Sequence, residues 1–427
     1  MKLAVPTTLL NSQQAMEVAS MTIHNEAPVA VERGLSDPEI VDKWVSVARS
    51  LAPLVESEVA RGTEDKLVTR KVVQAWKDAG LYRLLIPTRL GGEGLDSASY
   101  LTVAEEISRQ DASAGWTFAI HTVGTLFPGL LLPESSYRLI IGDDADRIAC
   151  GFAFGKVPGT ARPVDGGYLV VSEPMPFGSG TQHVDRVASM LYLLDSNGEE
   201  VIGEDGKPVV VNSYIDPSNI EWLGNWDPAG LQGTGSGHYR VKEHVLEEKW
   251  LSVAPGERIS DPVFGQGFLP LVHLHHSSVA LGVAKRAIEE VAKSAKGRRR
   301  GEVAALDENG VFQSDFVRID SLYQSARAFL LSAYQQIWQA ALQGRVTEQH
   351  TARVQQADHY AHRVLRDIVS TASVWAGSDA IPRDNVFARL TRDTAVALNH
   401  LMLSPHQTAN LAPVLLAEAQ TGSSRTS

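Results

Sequence analysis

Hydrophobic residues recur with a helical period in the first third of the chain. Between positions 38 and 54, apolar side chains such as Trp44 and Ala48 repeat every three or four residues, which is the period of one buried helical face. The same period predicts helices at 69–79, 97–109 and 113–132. We therefore expect a helical domain over residues 36–145, preceded by a flexible leader over residues 1–35 that shows no sustained period.

The middle of the chain changes to a β pattern. Over residues 146–262, short runs of β-branched and aromatic residues are separated by turn-forming Asp-Gly and Asn-Gly pairs. Such runs are typical of a central antiparallel β domain. The segment lacks the long helices between strands that a doubly wound sheet requires.

Helical periodicity returns from residue 263. Apolar faces recur around 281–292, 322–333 and 354–368, with short glycine-containing breaks between them. Long helices joined by short turns predict a four-helix bundle over residues 263–420, followed by a polar tail over residues 421–427. The fold class is therefore α+β and mainly α, in the order helical domain, β domain, helical bundle.

Composition narrows the possible partners. The formal net charge is −11, which argues against a general nucleic-acid binder, because such a protein needs a basic surface. The single cysteine, Cys150, excludes an internal disulfide framework and a cysteine-rich zinc site. No apolar run approaches the roughly 20 residues that cross a bilayer, and the first 30 residues lack a signal-peptide pattern. We expect a soluble cytoplasmic protein that binds neither nucleic acid nor membranes.

Several common catalytic motifs are absent. The sequence contains no phosphate-binding loop of the Walker type and no G-x-S-x-G hydrolase elbow. The glycine-rich run at 233–237 lies among β signals and opens no helix, so it is not a dinucleotide fingerprint. Two histidine clusters, at 273–276 and 359–362, are interpreted as packed or exposed helix histidines. The first is expected to have no nearby carboxylate, and we expect no metal at either.

Three segments together resemble the acyl-CoA dehydrogenase superfamily. They are the glycine-rich stretch Gly230–Val241 in the β domain, Leu281–Ile288 on the first bundle helix, and Arg392-Asp393 near the end of the bundle. The resemblance covers about residues 36–415 and rests on the order and spacing of these segments. It implies a flavoprotein with the domain order described above.

One position separates two chemistries within this superfamily. Dehydrogenases often carry a Glu a few turns after the Arg-Asp pair, as the base that removes a proton from the thioester substrate. Counting along this chain places Leu401 there, and leucine supplies no base. His400 stands beside it and is similar to the histidine of the flavin-dependent monooxygenase branch. Asp393 is expected to pair with a structural arginine rather than to perform chemistry.

Two further segments favour the monooxygenase branch. Gly233–Ser236 matches its Gly-Thr-Gly-Ser stretch, and Phe177–Gly180 matches its aromatic-x-Ser-Gly segment. The tryptophan that usually precedes this segment is replaced here by Pro174-Met175-Pro176. The resemblance implies a two-component monooxygenase that binds reduced FMN or FAD from a separate reductase. With O₂ it would form a C4a-hydroperoxyflavin and oxygenate a small aromatic or apolar molecule. The alternatives are a dehydrogenase-like FAD oxidoreductase with a relocated base and a non-catalytic flavin-binding scaffold.

The resemblance also implies roles for individual residues and a homotetrameric assembly. His400 is the candidate that takes a proton from the substrate, His121 is a second candidate, and Ser179 is expected to hydrogen-bond the flavin oxygens. The expected flavin contacts are Phe177, Gly178, Ser179, Thr234, Ser236, Gly377, Ser378 and, at the phosphate, one of Arg298, Arg299 and Arg300. The expected substrate contacts are Trp116, Phe118, His121, Phe127 and Trp375.

Overall fold

The computed structural model describes residues 34–151, 157, 159–254, 256–298 and 305–421. Its first part is helical. Charged and polar caps start several of these helices, for example Asp111, whose carboxylate accepts the N–H of Ala114. Thr69, at the start of the predicted helix 69–79, precedes the observed helix by one residue, and its side chain makes no capping hydrogen bond. The helices are α1 (Pro38–Ser50), α2 (Ala52–Glu64), α3 (Arg70–Asp78), α4 (Ser97–Gln110), α5 (Ala112–Leu131) and α6 (Glu134–Ile141).

The β region forms a six-stranded sheet and a separate two-stranded sheet. Strand β4 pairs with β1 and β2 in parallel, whereas the other pairs are antiparallel. The smaller sheet pairs β6 with β7. The strands are β1 (Ala149–Cys150), β2 (Gly159–Val164), β3 (Gly167–Ser172), β4 (Arg186–Leu193), β5 (Val210–Ile215), β6 (Ile220–Trp222), β7 (Tyr239–Val241) and β8 (His244–Leu246).

The last part of the chain is a helical bundle. A short helix α7 (Pro262–Gly265) leads into it, and two short helices follow its long ones. The remaining bounds are α8 (Phe268–Ala295), α9 (Gly310–Leu342), α10 (Glu348–Ala376), α11 (Val386–Ala397), α12 (Pro405–Asn410) and α13 (Ala412–Thr421). The predicted order of helices, β strands and helices is confirmed. None of the helices described here combines the length and apolar character that crossing a membrane requires.

Two buried helices bring the three regions together. Helix α5 is buried along most of its length, and α8 packs against both α4 and α5. Gly282 on α8 allows this close approach, because a Cβ built there would lie 2.4 Å from the Cβ of Ser108 on α4. The loops of the β region lie against α5 and α8 and enclose a cavity.

Candidate active site

A cavity of about 390 Å³ lies between helices α5 and α8, two β-region loops and the segment that follows α11. Among the described residues, its walls contain no Asp, Glu, Lys or Arg. The lining residues are Trp116, Ile120, Val123, Phe127, Gly151, Phe177, Ser179, Trp226, Leu231, Thr234, Ser236, Val272, His275, His276, Val396, Asn399, His400 and Leu401.

His400 is fixed at the cavity wall by its backbone position. It caps the short 3-10 helix Leu401–Leu403, and its Nδ1 accepts the N–H of Met402 at 3.3 Å. Burial, together with nearby His273 and His362, lowers the pKa of His400 to about 4, so the ring is neutral at pH 7. A neutral ring that accepts at Nδ1 carries its hydrogen on Nε2. In this arrangement His400 is a hydrogen-bond donor at Nε2.

Three hydroxyl groups form a chain with a defined direction. Thr234 Oγ1 donates to the carbonyl of Leu231 at 2.9 Å, so it must accept from Ser236 Oγ, 2.7 Å away. Ser236 must then accept from Ser179 Oγ at 2.6 Å, because each hydroxyl has one hydrogen. Ser179 therefore keeps only acceptor capacity for a ligand in the cavity. The sequence pointed to these residues, and the structure adds the direction.

The loop that carries Ser179 has an unusual backbone. Phe177 has a positive φ of 60° and is 64% exposed although it lines the cavity. A positive φ costs a non-glycine residue free energy, and such residues concentrate at functional sites. The position places an aromatic ring at the cavity wall where it is open to a ligand.

His121 lies behind this loop and is not among the described residues that line the cavity. Its Nε2 is 2.9 Å from the carbonyl of Gly180, and its Nδ1 is 3.2 Å from the hydroxyl of Tyr82. The carbonyl only accepts, so Nε2 carries the hydrogen and Nδ1 accepts from tyrosine. Burial and nearby His183 lower the pKa of His121 to about 3. This geometry suits a residue that positions the loop.

The glycine-rich loop is held from its opposite side by α11. Asp393 accepts the N–H of Leu231 at 2.6 Å, and a Cβ built at Gly230 would lie 2.2 Å from the carbonyl of Arg392. The expectation that Asp393 pairs with an arginine is corrected, since the nearby Arg389 lies 3.6 Å from Asp111 instead. The Asp393 carboxylate is buried, and its hydrogen-bond partner is the backbone N–H of Leu231.

The candidates for the flavin phosphate lie outside the cavity lining. Arg298 Nη2 is 3.0 Å from Asp379 Oδ2, and this pair joins the end of α8 to the 3-10 turn that contains Gly377 and Ser378. Arg298 Nη1 is buried and has no hydrogen-bond partner among the described residues. Arg299 and Arg300 lie outside the described residues. Gly178 adjoins the lining residues Phe177 and Ser179.

The predicted substrate contacts separate into two groups. Trp116 and Phe127 line the cavity. Phe118 packs in the helical core, where it stacks on Tyr82 at a centroid distance of 5.7 Å. The indole of Trp375 donates to Asp315 at 2.9 Å. The structure therefore places Phe118 and Trp375 away from the described cavity wall.

Sequence reasoning missed several lining residues, above all His275 and His276. The sequence predicts that the cluster at 273–276 packs within its helix and has no carboxylate nearby, and the prediction about the carboxylate is wrong. His273 Nδ1 lies 2.7 Å from Asp358 Oδ2, which comes from α10. Three histidines within four positions of an apolar helix were the available signal. Among the described residues, no group of three or more His, Cys, Asp or Glu side chains is arranged so that it could hold a metal ion.

Comparison with known proteins follows the same division of the chain. The acyl-CoA dehydrogenase N-terminal domain matches residues 45–130, and the acyl-CoA dehydrogenase C-terminal domain matches residues 274–405. An indole-3-acetate monooxygenase of Acinetobacter baumannii is 29% identical over 345 residues, which cover 79% of this chain and 84% of that protein. The HsaA oxygenase subunit of Rhodococcus jostii is 29% identical over 58% of this chain and 66% of its own length.

The chain belongs to the acyl-CoA dehydrogenase superfamily, in its flavin-dependent monooxygenase branch.

Solved structures of this superfamily share the fold. XiaF from a Streptomyces species, in complex with FADH2 and glycerol, aligns with a TM-score of 0.78 at 20% identity. The alignment covers 89% of this chain and 96% of that one. TdsC from a Paenibacillus species, with FMN and indole, aligns with a TM-score of 0.74 at 21% identity, covering 89% and 97%.

Proposed function

We propose that this protein is the oxygenase component of a two-component flavin-dependent monooxygenase. It takes reduced FMN or FAD from a separate reductase and uses O₂ to oxygenate a small aromatic molecule. The observation that carries the proposal is the pair His400 and Leu401 at the cavity wall, which among the described residues contains no carboxylate. A thioester dehydrogenase needs a base in this place, whereas a monooxygenase needs a dry cavity with hydrogen-bonding groups.

The residues present fit a flavin. The cavity volume lies within the range of small-molecule sites, about 300–1,000 Å³. The hydroxyl chain leaves Ser179 as an acceptor in the cavity. Outside the lining, the buried Arg298 Nη1 has no hydrogen-bond partner among the described residues, so it can donate to a phosphate oxygen of a flavin held by a second copy. A bound reduced flavin supplies the electrons that activate O₂.

The residues of the chain then have separate tasks. The apolar walls around Trp116 and Phe127 exclude water and accept a planar aromatic ring. In its neutral form His400 donates a hydrogen bond from Nε2 to an oxygen in the cavity, rather than taking a proton there as the resemblance implies, because its Nδ1 is engaged by Met402. Ser179 accepts a hydrogen bond, and His121 holds the Phe177–Gly180 loop in place through the Gly180 carbonyl.

We also propose a homotetramer, as the family resemblance implies. In support, large apolar side chains at the start of α9 and the end of α10 are more than half exposed. They are Val311, Val317, Val374 and Ile381. Val374 and Ile381 flank the 3-10 turn that contains Gly377 and Ser378 and that Arg298 reaches through Asp379, so that a second copy seated there would approach the phosphate candidates. Light scattering combined with size-exclusion chromatography tests the assembly.

The enzyme activity is tested by mixing the protein, loaded with reduced flavin, with O₂. The protein is incubated anaerobically with chemically reduced FMN or FAD and then mixed with O₂ in the presence of indole as a test substrate. We expect the absorbance of oxidised flavin to return more slowly than without protein, and isotope-labelled O₂ to place its label in the organic product. His400→Ala should lower product formation relative to the peroxide released.

The opposite result has a clear form. If acyl-CoA bleaches a tightly bound FAD and no label enters any product, the protein is a dehydrogenase. If flavin binds but neither reaction occurs, it is a non-catalytic flavin-binding scaffold. Leu401→Glu is an informative comparison, because it places a carboxylate in the wall beside His400 and should impair oxygenation.

A further inference from the structure

A cluster of buried titratable side chains lies behind the cavity wall formed by His276 and His400. Its members come from α8, α9, α10 and the segment after α11, and none carries out a task assigned above except His400. The groups that face one another are His273, His275 and His276 from α8, Tyr334 from α9, Asp358, His359 and His362 from α10, and His400.

Asp358 is the single anion at the centre of this cluster. Its Oδ2 accepts from His273 Nδ1 at 2.7 Å, and its Oδ1 accepts from the Ser277 hydroxyl at 2.9 Å. His362 Nδ1 lies 3.2 Å from Oδ1 and 3.0 Å from the backbone carbonyl of Asp358. A carboxylate and a carbonyl both accept, so His362 carries a hydrogen on Nδ1.

The opposite nitrogen of His362 has an incomplete environment. His362 Nε2 and His276 Nδ1 are both buried without a hydrogen-bond partner among the described residues. Their rings are neighbours, with centroids 6.1 Å apart. This separation is too long for a direct hydrogen bond between the two nitrogens. Leaving both buried and unpaired costs free energy, and one water molecule between them, accepting from His362 Nε2 and donating to His276 Nδ1, would satisfy both.

We infer that Asp358, His362 and His276 form a proton relay that stores one proton behind the cavity wall and delivers it through His276. His362 is then an imidazolium that donates from Nδ1 to Asp358 and from Nε2, through one water molecule, to His276. His276 accepts at Nδ1 and carries its own hydrogen on Nε2. The role of the relay in oxygenation rests on the proposed function, whereas the stored proton does not.

The proton balance of the relay is simple. When an oxygen atom in the cavity takes the hydrogen from His276 Nε2, the bridging water gives a hydrogen to His276 Nδ1 and takes the hydrogen of His362 Nε2. His362 is left neutral and still donates from Nδ1 to Asp358. A proton released by the substrate returns by the same path, so the relay ends each cycle as it began. His400, whose ring lies 4.2 Å from that of His276, shares the same cavity wall.

The electrostatics agree with this assignment. Burial by itself would lower the pKa of His362, but the Asp358 carboxylate outweighs it and the pKa is raised. Burial would raise the pKa of Asp358, but His362 and His273 outweigh it and the pKa is lowered. Burial and neighbouring His400 lower the pKa of His276, so the charge stays on His362.

The stored proton is tested on the full-length protein without flavin. Nuclear magnetic resonance of isotope-labelled histidine should show one buried ring that remains protonated above pH 6.5, the ordinary histidine pKa. The signal should disappear in Asp358→Asn and in His362→Gln. His359→Gln is the matched control, because His359 is a histidine of the same helix whose nitrogens meet the Met402 carbonyl and the Thr408 hydroxyl. There the signal should persist.

Delivery of the proton is tested with reduced flavin, O₂ and indole across a pH series. Asp358→Asn and His362→Gln should each lower turnover about a hundredfold, the typical worth of general acid–base catalysis. His362→Gln leaves Asp358 without its cation, which raises the pKa of Asp358. The acid limb of the pH profile of turnover should therefore move to higher pH. Combining His362→Gln with Asp358→Asn removes the titrating carboxyl, so the acid limb should return to its wild-type position. An unprotonated His362 in the wild-type protein, or profiles of wild-type shape and height in both variants, would overturn the relay. If the wild-type protein shows the NMR signal of the protonated histidine but oxygenates no substrate, the result would count against the proposed function alone.

Discussion

Asp393 Oδ1 accepts the backbone N–H of Leu231 at 2.6 Å, and this contact ties α11 to the loop that carries Thr234 and Ser236 into the cavity. Burial and the neighbouring Asp111 raise the pKa of Asp393 to about 7. The acceptor matters here more than the charge.

We therefore expect Asp393→Ala and Asp393→Asn to differ. Alanine leaves the buried N–H of Leu231 unpaired, which should lower the free energy of unfolding by about 1–3 kcal/mol and weaken flavin binding. Asparagine keeps an acceptor oxygen and removes the repulsion from Asp111, so it should stay close to the wild type. Denaturant unfolding and flavin titration measure both effects. Equal losses in the two variants would show that the charge is required.

His121 provides a test of positioning against catalysis. His121→Ala removes the donor to the Gly180 carbonyl and should destabilise the fold by about 1–3 kcal/mol while slowing turnover. Because the pKa of His121 is lowered to about 3, its titration lies below the working range, and the pH profile of turnover should keep its shape. Tyr82→Phe removes the hydroxyl from which His121 Nδ1 accepts a hydrogen bond. It should also lower stability and turnover, but less than His121→Ala does. A displaced pH profile would assign His121 a proton-transfer role.

Ser179 is expected to distinguish the two redox states of the flavin. A reduced flavin carries a hydrogen on N5 that the oxidised form lacks, and the direction of the hydroxyl chain leaves Ser179 as an acceptor. Ser179→Ala should weaken binding of reduced FMN about tenfold, the equivalent of one hydrogen bond, and change binding of oxidised FMN less. Anaerobic and aerobic titrations give the two constants. Thr234→Val, which removes the end of the same chain, is the companion variant and should act in the same direction.

Arg298 is the described arginine assigned to the flavin phosphate. Arg298→Ala should weaken FMN binding about tenfold or more, since a charge-assisted hydrogen bond contributes roughly 1.5–3 kcal/mol. Riboflavin has no phosphate, so its affinity should not change. Arg298→Lys keeps the charge without the two-pronged geometry and should fall between. An equal loss for FMN and riboflavin would assign Arg298 to the packing of the α8 terminus, where it meets Asp379.

The buried histidines predict that acid destabilises the fold. Burial lowers the pKa of His121 and His275 to about 3 and of His183 and His400 to about 4. In the unfolded chain each titrates near 6.5, so below that value the unfolded state binds more protons than the native state. Stability should fall as the pH drops from about 6.5 towards 4, by about 1.4 kcal/mol per pH unit for each such histidine.

Thermal unfolding across this range measures the slope. His121→Gln removes one of the titrating groups, so the free energy of unfolding of this variant should fall less steeply with decreasing pH, by the contribution of one proton. The His362–Asp358 pair acts in the opposite direction at the basic end, because the pKa of His362 is raised and its contribution is lost as the pH rises through that value. A flat pH dependence below 6.5 would show that these rings are not neutral and buried.

Much of the fold was predictable because it is encoded locally. The three- and four-residue spacing around Trp44 and Ala48 fixes which helical face is buried, and turn-forming Asp-Gly pairs separate strands. The prediction of helix α5 over 113–132 agrees with Ala112–Leu131 to within one residue at each end. The parallel pairing of β4 with β1 and β2 was not predictable, because it joins segments that are distant in sequence.

The site was predictable in its residue types but less in its arrangement. Motif resemblance pointed to His400, Ser179 and Ser236, and the structure brings them to one cavity. It also pointed to Phe118 and Trp375, which the fold uses for packing and for a hydrogen bond to Asp315. An aromatic residue on a helix has the same sequence signal in both settings, so only its neighbours decide.

The sequence by itself determined the order of helices and strands, the superfamily and the replacement of a carboxylate by Leu401, since these depend on spacing and residue identity. Only the tertiary structure decided which nitrogen of His400 and His121 holds the hydrogen, and that Asp358 stands between His273 and His362. The physical reason is that protonation in a buried site depends on partners and on exclusion of water. Helix packing supplies both from positions more than 80 residues apart in the chain, as for Ser277 and Asp358.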